Sequence, residues 1–280
     1  MNKKIIKTIA SLGCGLGCVG AVCATATSLS TSKKPNKPFI IKSGNPVLTS
    51  SKTAGCKVVP DEYFNFNEEY GEWRGLKDGV DIADLYAYDT IVVPSFIKDL
   101  GYRFVLPILP NTIKTIDLSN CLGLTKILDG AFYYQQYIET IYLPSSIESI
   151  GDCAFKTCLK LSWINLLWSS ITSIGKEAFK DCWSLTRVSL SPNVKTISDY
   201  AFYGCTSLQM VDFFRPSVTS IGKYSFANCE QLKSIEIPAT VKTIDDYAFS
   251  NCKNLEKVKY LGSVDSISKT AFANSDKINK

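Results

Sequence analysis

The sequence predicts a solenoid of parallel β-strands, and three observations carry that prediction. First, Phe132, Phe155, Phe179, Phe202, Phe226, Phe249 and Phe272 recur at intervals of 23 or 24 residues, so over half of the 280-residue chain is one short unit in tandem. A unit this short cannot bury its own apolar face and forms a core only when stacked on its neighbours. Second, each unit changes period inside itself, from steps of three to a step of two. Third, a proline-bearing turn follows the step of two in most copies, as at Pro144, Pro192, Pro216 and Pro238.

The elements of one unit follow in order. Four clean copies read AFKTCLKLSWINL, AFKDCWSLTRVSL, AFYGCTSLQMVDF and SFANCEQLKSIEI. The steps of three through Phe, Cys and Leu fit a tight helical or 3₁₀ turn that presents those side chains to one side. The step of two, Val188 to Leu190 or Ile235 to Ile237, is strand periodicity. Proline then ends the strand because it donates no backbone hydrogen bond. A second apolar pair, such as Val194 and Ile197 or Val241 and Ile244, leads back to the next Ala-Phe.

The stretch 237–258, IPATVKTIDDYAFSNCKNLEKV, contains every defined position of a phrase that resembles the BspA-type leucine-rich repeat. The resemblance covers roughly residues 111 to 278, with local departures at Gln135, Ser225 and Ser275. It implies a leucine-rich repeat solenoid with one parallel strand per repeat and short helical turns on the other side. It also implies a surface or secreted protein that acts in adhesion.

Outside the array the chain divides by composition. Residues 1–60 contain nine lysines and no acid, which leaves 22 Lys and Arg against 26 Asp and Glu in the remainder. A mildly acidic array argues against nucleic acid as a partner. Lys3, Lys4 and Lys7 precede an uncharged run from Thr8 to Ser32, with a small-x-small site at Ala24-Thr25-Ala26. Residues 1–26 are therefore expected to be an export signal, with a retained anchor or lipidation at Cys23 as alternatives. Residues 27–60, rich in Lys, Ser, Thr and Pro, are expected to be a flexible basic linker. Residues 61–110, with aromatics from Tyr63 to Tyr88 but no repeat beat, are expected to cap the array, which then runs over 111–280. Asn-x-Ser/Thr acceptors do not occur, which favours a source without N-glycosylation, such as a bacterium.

Chemistry has little to work with. Without histidine there is no Ser-His-Asp or Cys-His pair, and the commonest metal ligand is missing. Gly13, Gly15 and Gly17 lie within the export segment, and the acid pairs Glu68-Glu69 and Asp245-Asp246 have no evident pocket. The reading is of a protein that is not an enzyme and uses no cofactor or metal. A catalytic role confined to 61–110 remains the lesser alternative. Cys158, Cys182, Cys205, Cys229 and Cys252 fall at one phase of the repeat and are expected to form a buried, free ladder. Bridges from Cys56 to Cys121 or Cys153 to Cys158 stay open.

Binding is expected on the strand face, where residues flanking each inward Ile or Val point outward. These are Tyr142, Trp163, Asn165, Arg187, Met210, Asp212, Glu236 and Lys257. The two 24-residue units place their extra residue after the strand, which would set Trp168, Phe214 and Arg215 on one rim. The alternative is that these aromatics fold over adjacent rungs as local cover. The partner is expected to be a protein or other macromolecule on another cell, with membrane contact only through the N-terminal segment. The chain is expected to be monomeric, although the last rung could leave an edge able to pair.

Overall fold

The computed structural model describes residues 56–100, 109–213 and 217–278. The expected export signal and nearly all of the basic linker lie outside these residues. The repeats stack as a coil whose rungs pair in parallel and in register. On one side, seven two-residue strands form an unbroken ladder: Lys126–Ile127, Ser149–Ile150, Ser173–Ile174, Thr196–Ile197, Ser220–Ile221, Thr243–Ile244 and Ser266–Ile267. Each contributes one Ile, and those of the first six are no more than 2 % exposed.

The other ladder, made by the step-of-two strands, is interrupted. Thr90–Val92, Thr115–Asp117, Thr140–Tyr142 and Trp163–Ile164 form one sheet. Arg187–Leu190 pairs only with Met210–Phe213, and Ser234–Ile237 only with Lys257–Tyr260. Each interruption follows a 24-residue unit. After Trp163–Ile164 and after Met210–Phe213, pairing with the next rung is absent among the described residues.

Parallel strands also begin before residue 111. Thr90–Val92 is already in register with Thr115–Asp117, within the segment expected to be a cap. Ahead of it, Phe64–Asn67 and Glu72–Leu76 form an antiparallel hairpin that buries Trp73 edge-on against Phe64 at 5.6 Å. Aromatic pairs of this kind stabilise a small core beyond area alone.

The turns around each Phe keep the expected three-residue hydrogen bonds, as from Lys156 N–H to Cys153 and from Cys158 N–H to Phe155. They differ from a 3₁₀ helix in one respect. In every turn but the last, residues two before and two after the Phe have positive φ, as at Cys153 (54°), Thr157 (63°), Glu177 (55°) and Asp181 (59°). Alternating right- and left-handed residues aims every second peptide along the array axis. The N–H groups of Cys153, Phe155 and Thr157 thus reach the carbonyls of Lys176, Ala178 and Lys180, each at 2.8 Å. The turns thereby form a third rung-to-rung ladder, which satisfies backbone groups that would otherwise be buried unpaired.

Between the ladders lies the core. Consecutive Phe rings from Phe132 to Phe272 stack with centroids 5.1 to 5.4 Å apart and planes within 12°. The cysteines fill the column beside them, and each thiol donates to the carbonyl of the previous rung's Phe. Those contacts are Cys158 to Phe132 at 3.1 Å, Cys182 to Phe155 at 3.2 Å and Cys205 to Phe179 at 3.3 Å. Cys229 and Cys252 repeat the arrangement. Burial pushes these thiols up, to about 12 at Cys158 and Cys252, so they are unreactive hydrophobes with a weak donor. All eight described cysteines are free. Ser275 takes the same place in the last rung, its hydroxyl donating to Phe249 at 2.8 Å. Gln135 takes it in the first, where it accepts from Leu109 N–H.

Candidate binding face

The interrupted ladder presents two outward columns. Register between paired strands puts Thr140 beside Trp163, Arg187 beside Met210, and Ser234 beside Lys257. The second column contains Tyr142, Asn165, Ser189, Asp212, Glu236 and Lys259, with Ser189 opposite Asp212 and Glu236 opposite Lys259.

Most of these side chains have partners within the face. Tyr142 leans on Trp163 with ring centroids 5.4 Å apart. Asp212 accepts from Arg187 Nε at 2.7 Å and from Ser189 Oγ at 2.9 Å. Lys259 Nζ donates to Glu236 at 2.8 Å. Asn165 differs from an outward contact residue, because both ends of its amide are taken up by the backbone. Its Oδ1 accepts from Leu143 N–H at 2.8 Å and its Nδ2 donates to Leu143 O at 3.0 Å. The amide thus continues the ladder where the strand Trp163–Ile164 has ended.

What remains open to solvent is apolar or uncompensated. Trp163 is 43 % exposed and Met210 42 %, while Lys257 is exposed and has no ion-pair partner among the described residues. Trp168, 63 % exposed, stands after the strand of its rung. Phe214 and Arg215 lie outside the described residues. Trp183, 51 % exposed, adds an aromatic on the opposite rim, immediately after Cys182. Sequence reasoning passed over it, although the same place in other units holds Gln136, Leu159, Thr206, Glu230 and Lys253, so a Trp there is out of pattern.

Among the described residues no group of His, Cys, Asp and Glu could hold a metal ion, and no helix is long and apolar enough to cross a membrane. Elsewhere, Lys156 and Lys180 flank Glu177, and Lys156 holds its carboxyl below the usual range. Lys180 also lies 5.3 and 5.2 Å from the Tyr200 and Tyr203 rings, a structural cation–π cluster.

The family model of the BspA type leucine-rich repeat region matches residues 125–217 and 154–279, as six copies. The chain belongs to the BspA-type leucine-rich repeat family. Among solved structures, a leucine-rich repeat protein from T. pallidum shares its fold, at 24 % identity and a TM-score of 0.57, with 80 % of this chain and 92 % of that chain covered. A leucine-rich repeat protein from Bacteroides ovatus aligns at 19 % identity and a TM-score of 0.38, covering 78 % of this chain and 92 % of the other. A comparison with curated proteins finds no match. As a BspA-type repeat array, the chain has the build of a protein-binding surface, and arrays of this type are typically scaffolds without catalysis.

Proposed function

We propose that this protein is exported and binds a protein on another cell through its strand face and rim, without catalysis. The observation that supports this most is the line of exposed Trp163 and Met210 on the strand face, with Trp168 and Trp183 on its rims. Large apolar side chains left uncovered on a rigid, close-packed array have the composition of interface centres. Arg187 belongs to the proposed strand face, and Phe214 and Arg215 are assigned to the rim from their place in the repeat. The basic, acid-free N-terminal 60 residues supply the proposed export signal and linker.

Two measurements test the reading. Protease shaving of intact source cells should release the array and give a mature N-terminus near Thr27; full protection with an intact N-terminus would place the protein inside the cell and refute export. Retention of the purified chain on target cells should fall at least about tenfold when Trp163, Arg187 and Phe214 all become Ala. Unchanged retention would mean that another surface binds.

Self-association is the second reading, favoured by the last described rung. Tyr260 is 42 % exposed, Leu261 49 % and Ile267 42 %, whereas Ile237 and Ile244 one rung earlier are 0 and 1 % exposed. Concentration-dependent sedimentation would support it, and a single monomer species across the range would dismiss it.

A further inference from the structure

The strand face has an order at twice the repeat length. Trp163, Met210 and Lys257 share one strand position, each 47 residues from the next, and so stand two rungs apart in one column. Between them lie Arg187, held by Asp212, and Ser234. The two exposed apolar side chains also open the two strands at which pairing with the next rung fails. The core is looser there: Ile164 is 7 % and Val211 8 % exposed, against 1 % for Val188 and 2 % for Ile235. Each interruption therefore combines a large apolar side chain with backbone groups that have no strand partner on one side.

Three features of a ligand follow. Rungs lie 5.1 to 5.4 Å apart along the Phe column, so two rungs span about 10 Å. A polyproline-II segment returns to the same face every third residue, a rise of about 9.3 Å. A β-strand does so every second residue, at about 6.7 Å, which does not match. An α-helix could match over two turns, but its carbonyls are paired internally, whereas those of a polyproline-II segment are free to accept hydrogen bonds from the interruptions. Charge gives the third feature. Of the cations in the two columns, Arg187 and Lys259 are neutralised by Asp212 and Glu236, and only Lys257 has no ion pair among the described residues.

We propose that the strand face takes one extended, proline-rich peptide segment of the partner protein, laid along the array. Apolar side chains three residues apart seat beside Trp163 and Met210, and an acidic side chain three residues further on meets Lys257. This rests on the strand-face reading above and adds the chemistry of the ligand.

The test uses the intact chain and labelled synthetic peptides in fluorescence anisotropy. The probe Leu-Pro-Pro-Leu-Pro-Pro-Glu should bind saturably, and Trp163→Ala or Met210→Ala should weaken it at least about tenfold. Lys257→Glu should weaken it too, and should in turn favour the same peptide ending in Lys. A control with its second Leu moved by one position should bind far less. The proposal is overturned if that control binds equally, if the charge exchange has no effect, or if no peptide binds. Cell retention that still depends on Trp163 and Arg187 in the absence of peptide binding would leave the face as the binding surface and remove only the peptide chemistry.

Discussion

Ser225 occupies the position that is Ala at 131, 154, 178, 201, 248 and 271, and it is fully buried. Its hydroxyl has no hydrogen-bond partner among the described residues. A buried unpaired hydroxyl costs about 1–3 kcal/mol, and Ala restores the shape of the column. Ser225→Ala should therefore raise the urea midpoint, by about 1–2 kcal/mol in unfolding free energy; a lower midpoint would show that the hydroxyl is satisfied. Asp117 poses the opposite problem, a carboxyl in the core at 2 % exposure. Burial pushes its pKa above 3.8, and bonding from Ser119 offsets this only in part. The folded state then holds its proton more tightly than the unfolded chain, so stability falls as pH rises from about 4 through that raised value. Asp117→Asn keeps the acceptor for Ser119 N–H and removes the charge. Its stability advantage over the parent should be larger at pH 7 than at pH 4; equal urea shifts at both values would contradict the burial argument.

At the scale of the repeat, the turn before each Ala-Phe couples neighbouring rungs through a rule visible only when two rungs are aligned. Where a rung has Asp three residues before its Phe, the next rung has Gly or Ser four before. Asp129 is followed by Gly151, Asp152 by Gly175, Asp199 by Gly222 and Asp246 by Ser268. The carboxylate reaches across to the next rung, as Asp152 does to Lys176 N–H at 2.6 Å and Asp199 to Lys223 N–H at 2.9 Å. A Cβ at Gly175 would lie 2.5 Å from both the Asp152 carboxylate and its backbone nitrogen. Gly175→Ala should cost about 1–3 kcal/mol through overpacking. Ser198, at the same phase but above Lys176, already carries a Cβ, and its hydroxyl donates to Ile174 O at 2.6 Å; a Gly175→Ala melting temperature equal to the parent's would sink the rule. The period and the Phe and Cys columns were legible from spacing, whereas Asn165, expected to point outward, turns its amide to the Leu143 backbone. The left-handed turn residues were not legible, since Glu177, Asp181 and Thr157 bear no glycine-like signature. Nor was the Arg187–Asp212 pair, whose members lie 25 residues apart and meet only once the register is known.

Over the whole array, one ladder is continuous and the other is cut twice, each time after one of the two 24-residue units. The aromatic residues around Trp168 and Phe214 marked those units in the sequence, but spacing alone could not show that strand pairing would end there. The back ladder and the Phe stack hold the rungs at the interruptions, so the coil stays whole while its strand face is divided into three plates. Repeat arrays derive stability from nearest-neighbour interfaces, and the interfaces at Ile164 and Val211 are the more open ones. Native-state hydrogen exchange should resolve this. Amides of Arg187–Leu190 and Ser234–Ile237 that face the preceding rung have no strand partner there and should exchange faster than those of Thr196–Ile197 and Thr243–Ile244 in the same rungs. The difference should be about tenfold or more in protection, because local opening need not break the back ladder. Uniform protection across both ladders would mean that the interruptions are closed in solution. The strand face would then be a single stiff surface, and the two breaks could not serve as places for a partner's backbone to bond.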